Sequence, residues 1–220
     1  NINEVVKKAE KADHIVLSLG ENTYTEKPGD THDLTLSDLQ MKLANELAST
    51  GKPIILVLNE GRPRIYSKID DKVAATVLTY LPGNFGGDAL ADILFGDVNP
   101  SGKLPYTYPR MVHSLINYWH KYSEEQVKDE GMYNYESDYS PMYEFGHGLS
   151  YTAFKYSDLK LSKKEITADE NLTVSVTVTN TGVREGKEAV LLYLSDLYAS
   201  LAPDMKRLKG FDKISLQPGE

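Results

Sequence analysis

Three carboxylates crowd one short stretch, GENTYTEKPGD, where Glu21, Glu26 and Asp30 stand near Tyr24 and directly after the apolar run HIVLSLG. Acids in such a place can pass protons, hold a metal ion, or simply carry solvated loop charge. Glu21 can also support the strand end, and Asp30, after Pro-Gly, can shape the turn by accepting backbone N–H bonds. No metal is expected, because His14, His32, His113, His120 and His147 fall into no recognised ligand pattern with these acids. Arg62 and Arg64, just past LVLN, can reach a neighbouring domain or close an ion pair on the surface. The absence of Cys removes thiolate and disulfide chemistry, and no G-x-S-x-G occurs. GDVNPSGK lacks the phosphate-loop spacing and the hydroxyl residue after Lys103. LPGNFGG lacks G-x-G-x-x-G and suits close packing of a helix on a sheet.

Positioning these groups falls to the elements around them. Ile2, Val5, Ala9 and Ala12 recur at helical spacing before the strand HIVLSL. SDLQMKLANELASTG predicts a helix with Ser37 and Gln40 at capping-box spacing, a Leu39–Leu43–Leu47 stripe, and Gly51 as its C-terminal glycine. PIILVL and VAATVL are continuous apolar runs of the kind buried on both faces of a parallel sheet, and the helix GDALADILFG follows. The order is that of an α/β domain with a mostly parallel sheet flanked by helices. In such sheets ligands gather beyond the carboxyl ends of the strands, which is where GENTYTEKPGD begins.

Beyond Pro109 the periodicity fades and tyrosines accumulate: Tyr118, Tyr122, Tyr133, Tyr135, Tyr139, Tyr143 and Tyr151, with the single Trp119. A long aperiodic segment has to bury something to stay ordered, so these rings are expected to pack between two domains, with a short helix over SEEQVKDE. Sugar stacking is the competing use of such rings. NLTVSVTVTNTG then alternates Leu172, Val174, Val176 and Val178 against Thr and Ser, a half-buried antiparallel strand. EAVLLYLSD and RLKGFDKISL are further strands, so an all-β immunoglobulin-like sandwich is expected, short of its last strands.

The chain has 220 residues, 40% hydrophobic and 25% charged, with a formal net charge of −8. That balance suits a soluble globular protein and opposes a nucleic-acid partner, which needs a basic face. No apolar run is long enough to span a bilayer, so no membrane partner is expected. Asn1 opens the chain without Met and LQPGE closes it on a turn, which points to a piece of a longer protein.

LGENTYTEKPGDTHDLTL resembles the acid/base loop of glycoside hydrolase family 3, in its branch of β-glucosidases and β-glucan exohydrolases. The likeness continues through GKPIILVLNEGRP, LPGNFGGDALADILFGDVNPSGKLPYTYP, YEFGHGLSYTAFKYSDLKLS, VTNTGVREGKEAVLLYLSD and LKGFDKISLQPGE, in the family's order. The resemblance implies that residues 1–118 are the C-terminal part of the family's α/β sandwich domain. Residues 119–152 would be a Tyr-rich connection, and residues 153–220 a truncated fibronectin III-like domain. It implies a retaining hydrolase of β-glucosides and β-glucans, cutting at the non-reducing end, with no cofactor and a periplasmic or secreted location. The family's YxExxGD-like stretch maps onto Tyr24 to Asp30, which makes Glu26 the general acid/base and brings Tyr24 beside the substrate. The Asp nucleophile would come from an N-terminal barrel that this sequence lacks, so the chain alone is expected to be inactive. Truncated sheets would expose edges and favour self-association. The alternative is a non-catalytic carbohydrate-binding or scaffolding module.

Overall fold

A computed structural model describes residues 1–114, 117–121 and 140–220. The helix expected over SEEQVKDE, and Tyr122, Tyr133, Tyr135 and Tyr139, lie outside the described residues. The first layer alternates α1 (Ile2–Ala9), β1 (Ile15–Gly20), α2 (Asp38–Ala48), β2 (Ile54–Asn59), α3 (Ser67–Asp70), β3 (Ala75–Leu78) and α4 (Gly86–Phe95). The three strands form one parallel sheet in the order β1-β2-β3, with Ile15 opposite Ile54 and Ile55 opposite Ala75. Consecutive parallel strands need a crossover, and α2 and the short α3, which sequence periodicity does not reveal, supply the two.

The core lies on one side of this sheet. Ile15, Leu17 and Leu19 of β1 and Ile54, Leu56 and Leu58 of β2 pack with Ala9, Ala44, Leu47, Ile69, Tyr66 and Tyr108. The expectation that VAATVL is buried on both faces fails: Ala75 is exposed and the rest of β3 is only half-buried. On β1, Val16 is 55% exposed while its neighbours are buried. Only β2, flanked by strands on both sides, approaches full burial. The leucine stripe of α2 is corrected in the same way. Leu47 is buried and Leu43 half-buried, but Leu39 is 69% exposed. Residues spaced by four drift about 40° per step around an α-helix, so the first member leaves the face that Ala44 and Leu47 define.

The second layer is antiparallel throughout. β4 (Phe154–Leu161) pairs with β5 (Val174–Asn180), and β6 (Gly186–Leu194) pairs with β7 (Arg207–Leu216), as two two-stranded sheets. Asn180, fully buried, ties their ends together. Its side-chain amide donates to the Arg184 carbonyl at 2.7 Å and the Leu216 carbonyl at 3.0 Å. Its Oδ1 accepts from Thr152 Oγ1 at 2.6 Å and from the Gly182 N–H at 3.1 Å.

Of the described tyrosines of the connection, Tyr143 packs on the first layer, Tyr118 on the second, and Tyr151 touches both. Tyr143 reaches Asp70 of α3 at 2.9 Å, and its ring meets that of Tyr108 edge-on. Tyr118 stacks on Phe145 and lies edge-on to Tyr193 of β6. Tyr151 donates to the Ile93 carbonyl of α4 at 2.7 Å. Lys103 pairs with Glu188 of β6 at 3.2 Å, and Asn99 donates to the Glu185 carbonyl at 2.9 Å. Among the described residues no helix is long and apolar enough to cross a membrane.

Candidate functional site

Residues 21 to 36 leave β1 at its carboxyl end and run back to α2. Gly20 closes the strand where only a glycine fits, since a Cβ there would come within 1.9 Å of the Asn59 carbonyl oxygen. Ser37 caps α2 by accepting the Gln40 N–H at 3.4 Å. Gln40, however, does not complete the capping box. Its amide turns to the strand end, donating to the Gly20 carbonyl at 3.0 Å and accepting the Gly20 N–H at 2.9 Å. The helix N-terminus thereby grips the residue from which the acidic loop departs.

Glu21 anchors the loop. Its side chain is 3% exposed and takes both arginines, Arg62 at 2.8 Å and Arg64 at 2.7 Å, and it accepts the Gly61 N–H at 3.1 Å. Burial pushes its carboxyl up, but the Arg62 hydrogen bond, the Arg64 charge and the Gly61 N–H outweigh that and hold it below the ordinary carboxylate range. The structural reading of Glu21 therefore holds, and Arg62 and Arg64 spend their charge inside this domain. Arg62 also donates to the Gly29 carbonyl and lies 4.1 Å from the centre of the Tyr24 ring.

Tyr24 is half-buried within the loop. A Cβ on Gly29 would fall 2.3 Å from its ring, and one on Gly61 would fall 2.6 Å from its hydroxyl. The two glycines make the space that the ring fills, so Tyr24 clamps the loop onto the turn after β2. Asp30 is exposed and its carboxylate accepts no hydrogen bond from any described residue. The loop-shaping acid is Asp33 instead, whose Oδ1 accepts the Thr35 N–H at 2.8 Å. That part of the reading is corrected: the first turn after Pro-Gly closes through backbone, with the Asp30 N–H on the Lys27 carbonyl at 3.0 Å. Leu34 and Leu36 then join Ile65 through backbone bonds and fix the far end of the loop.

Glu26 sits between these anchors. It is exposed, precedes the single helical turn Lys27–Gly29, and its carbonyl accepts the Gly29 N–H at 2.8 Å. Its backbone has φ 50° and ψ −140°, a region that side-chain-bearing residues rarely enter and that costs about 1–3 kcal/mol. Among the described residues no cation pairs with its carboxylate. A carboxyl so presented, on a strained and firmly anchored turn, can meet a group outside its own domain.

One functional-looking residue escapes sequence reasoning. Glu60, directly after β2, is 1% exposed. Its Oε1 lies 2.6 Å from the Tyr108 hydroxyl and 3.2 Å from the Arg64 N–H, and its Oε2 has no partner among the described residues. Burial, more than any other influence, lifts its carboxyl to about 7, and the nearby Glu21 charge adds to the rise. Its neighbours Gly61 and Pro63 draw attention in a sequence; the glutamate itself carries no motif. No group of three His, Asp or Glu side chains among the described residues could hold a metal ion.

Residues 1–151 match the glycosyl hydrolase family 3 C-terminal domain, and residues 188–220 match the fibronectin type III-like domain. A lysosomal beta glucosidase of Dictyostelium discoideum is 41% identical over 100% of this chain and 27% of its own length. A periplasmic beta-glucosidase of Salmonella typhimurium is 42% identical over 100% of this chain and 30% of its own. The solved structure of a β-glucosidase from Erythrobacter marinus superposes with a TM-score of 0.89 at 40% identity, over 100% of this chain and 30% of that one. The chain thus spans under a third of the length of these relatives.

Proposed function

The chain belongs to glycosyl hydrolase family 3, and from that premise we propose that it supplies the general acid/base of a retaining β-glucosidase acting on the non-reducing end of β-glucosides and β-glucans. Glu26 is the proton donor and then the base. The observation that carries this reading is its presentation: an unpaired, exposed carboxylate on a strained turn whose two ends are pinned by Glu21, Arg62, Arg64 and Gln40. A retaining enzyme needs its two carboxyl groups about 5–5.5 Å apart. The second, an Asp nucleophile, would come from a barrel domain that packs against the rim where Glu26 stands. Docking there would bury Glu26 beside another acid, which is the setting that keeps a donor protonated near neutral pH. Tyr24, besides clamping the loop, would border the sugar.

Residues 1–118 form the family's α/β part, 119–152 the connection and 153–220 the fibronectin-like part. A periplasmic or secreted location is supported by the Salmonella relative's name. The open edges of both small antiparallel sheets support self-association of the isolated chain, which sedimentation at rising concentration would test; a strictly monomeric profile opposes it.

The acid role is tested in the longer enzyme with Glu26→Gln and a series of aryl β-glucosides. In kcat/KM, which reports the first step, substrates with poor leaving groups should slow by roughly 10²–10⁴-fold while those with good leaving groups change little; kcat for the good ones should fall as well, because the base of the second step is lost. Equal losses across the series would remove Glu26 from the acid role. The 220-residue chain itself should release no aglycone at an enzyme-like rate.

A further inference from the structure

The rim after β2 contains a buried carboxyl, Glu60, that pairs with no cation among the described residues and whose hydrogen bonds require a proton. The Tyr108 hydroxyl lies 2.6 Å from Glu60 Oε1 and 2.7 Å from the Arg64 carbonyl oxygen. A phenol has one proton. The Arg64 carbonyl can only accept, so its short contact uses that proton. The shorter contact to Glu60 is then left between two oxygens with nothing between them, unless Glu60 brings a proton of its own. Glu60 Oε2 gives the same answer. It is buried and has no partner among the described residues, which is costly for half of a charged carboxylate and mild for the carbonyl oxygen of a neutral acid.

The surrounding charges agree. From the end of β1, Glu21 faces this site as an anion and holds both guanidinium groups, Arg62 and Arg64. Arg64 hydrogen-bonds Glu60 through its backbone N–H, and its guanidinium, paired with Glu21, lowers the Glu60 carboxyl less than burial raises it. From beyond β3 comes Tyr80, and from the segment after α4 come Tyr106 and Tyr108, hydroxyls whose own titration burial pushes up. Tyr66 closes the far side, its ring edge-on to Tyr108. None of these groups is a cation turned toward Glu60.

We propose that Glu60 is a neutral carboxylic acid in the folded chain, and that its proton closes a relay from Glu60 to Tyr108 to the Arg64 carbonyl which positions Arg64 beneath the acidic loop. Arg64 is fixed twice at its backbone, through its carbonyl by Tyr108 and through its N–H by Glu60. Its side chain is thereby aimed at Glu21, the residue that anchors the loop. Glu60 is a positioning residue, and the assignment stands whether or not Glu26 serves as an acid.

Ionising Glu60 would place a second buried anion beside Glu21 with no cation left for it. The folded chain therefore keeps the proton to about 7, whereas the unfolded chain releases it near the ordinary 4.5. Because the folded state binds the proton more tightly, stability falls as pH rises through that window and levels off above it.

The test compares this chain with Glu60→Gln, whose amide is neutral at every pH and can donate to the Tyr108 oxygen in the proton's place, giving up the acceptor for the Arg64 N–H, a loss that does not vary with pH. The folding equilibrium of the wild type should weaken relative to the variant between pH 5 and 8, by on the order of a hundredfold in all. Glu60→Ala, which leaves the Tyr108 hydroxyl its bond to the Arg64 carbonyl but removes the donor to its oxygen, should be less stable than Glu60→Gln at every pH. Infrared spectra of the wild type should also show the C=O stretch of a protonated carboxylic acid at pH 6, lost with a midpoint near 7 and missing from Glu60→Gln. Parallel pH profiles for wild type and Gln, or no protonated-acid band above pH 5, would overturn the proposal. The infrared measurement decides the matter even if a variant fails to fold.

Discussion

Replacing Glu21 by Ala tests the anchor on which the acidic loop depends. The substitution removes one carboxylate that is 3% exposed and leaves two guanidinium groups, 25% and 17% exposed, without their partner. It also orphans the Gly61 N–H. Breaking a buried ion pair from one side costs about 3–5 kcal/mol, and the partial exposure of both arginines puts this case at the low end. A loss of about 3 kcal/mol in a chain of this size lowers the melting temperature by roughly 6–12 °C. Glu21→Gln keeps an acceptor for Gly61 and should lose about half as much. Calorimetry at pH 7 gives these shifts directly. The pH dependence adds an independent sign. Because the folded-state carboxyl of Glu21 is lowered, its contribution is present above the unfolded value of 4.5 and is lost as pH falls through the folded value. The wild type should therefore lose its advantage over Glu21→Ala in acid. A cost under 1 kcal/mol, or Arg64→Met and Glu21→Ala effects that simply add, would refute the reasoning, since residues sharing one network must couple.

Two further substitutions probe the packing around the site and the second layer. Gly29→Ala puts a Cβ 2.3 Å from the Tyr24 ring and should destabilise by about 1–3 kcal/mol, with most of that relieved when Tyr24→Ala is added; additive costs would mean the ring does not fill that space. Asn180→Asp sets a carboxylate against the Arg184 and Leu216 carbonyls and should cost more than Asn180→Ala at pH 7, by urea denaturation, with the gap narrowing in acid; equal costs at every pH would contradict the assigned amide orientation.

The elements with regular spacing were legible from residues alone. Apolar runs located all three parallel strands, and the Ser37 cap and Gly96, which closes α4 at φ 84°, bounded two helices. α3 and β4 were missed because a single helical turn shows no period and the alternation of FKYSDLKL changes phase at the bulge around Asp158. Burial was misjudged for β3, since an apolar run says that a strand can be buried and not whether anything covers it. At the site, composition flagged the carboxylates but could not rank them. Glu21 and Glu26 are alike in a sequence; one becomes an anchor and the other stays free because Arg62 and Arg64, far along the chain, arrive beneath only one of them. Glu60 was invisible for the same reason, its character being set by burial beneath residues far along the chain, Tyr108 among them.

The three glutamates at this rim are best understood together, because two cations serve them. Both arginines go to Glu21, so the charge at the loop's root is matched and the loop is fixed. Glu60, next to the same arginines but denied them, can be buried only with a proton, and that proton in turn aligns the backbone of Arg64. Glu26 lies beyond the reach of either arrangement, with Arg62 already committed to Glu21, to the Gly29 carbonyl and to the Tyr24 face. If Glu26 had taken an arginine for itself, the loop would lose its root and the carboxyl its freedom to exchange a proton. Pairing the first acid and neutralising the second leaves the third unpaired on an anchored turn, and the acid role proposed for Glu26 requires both properties at once.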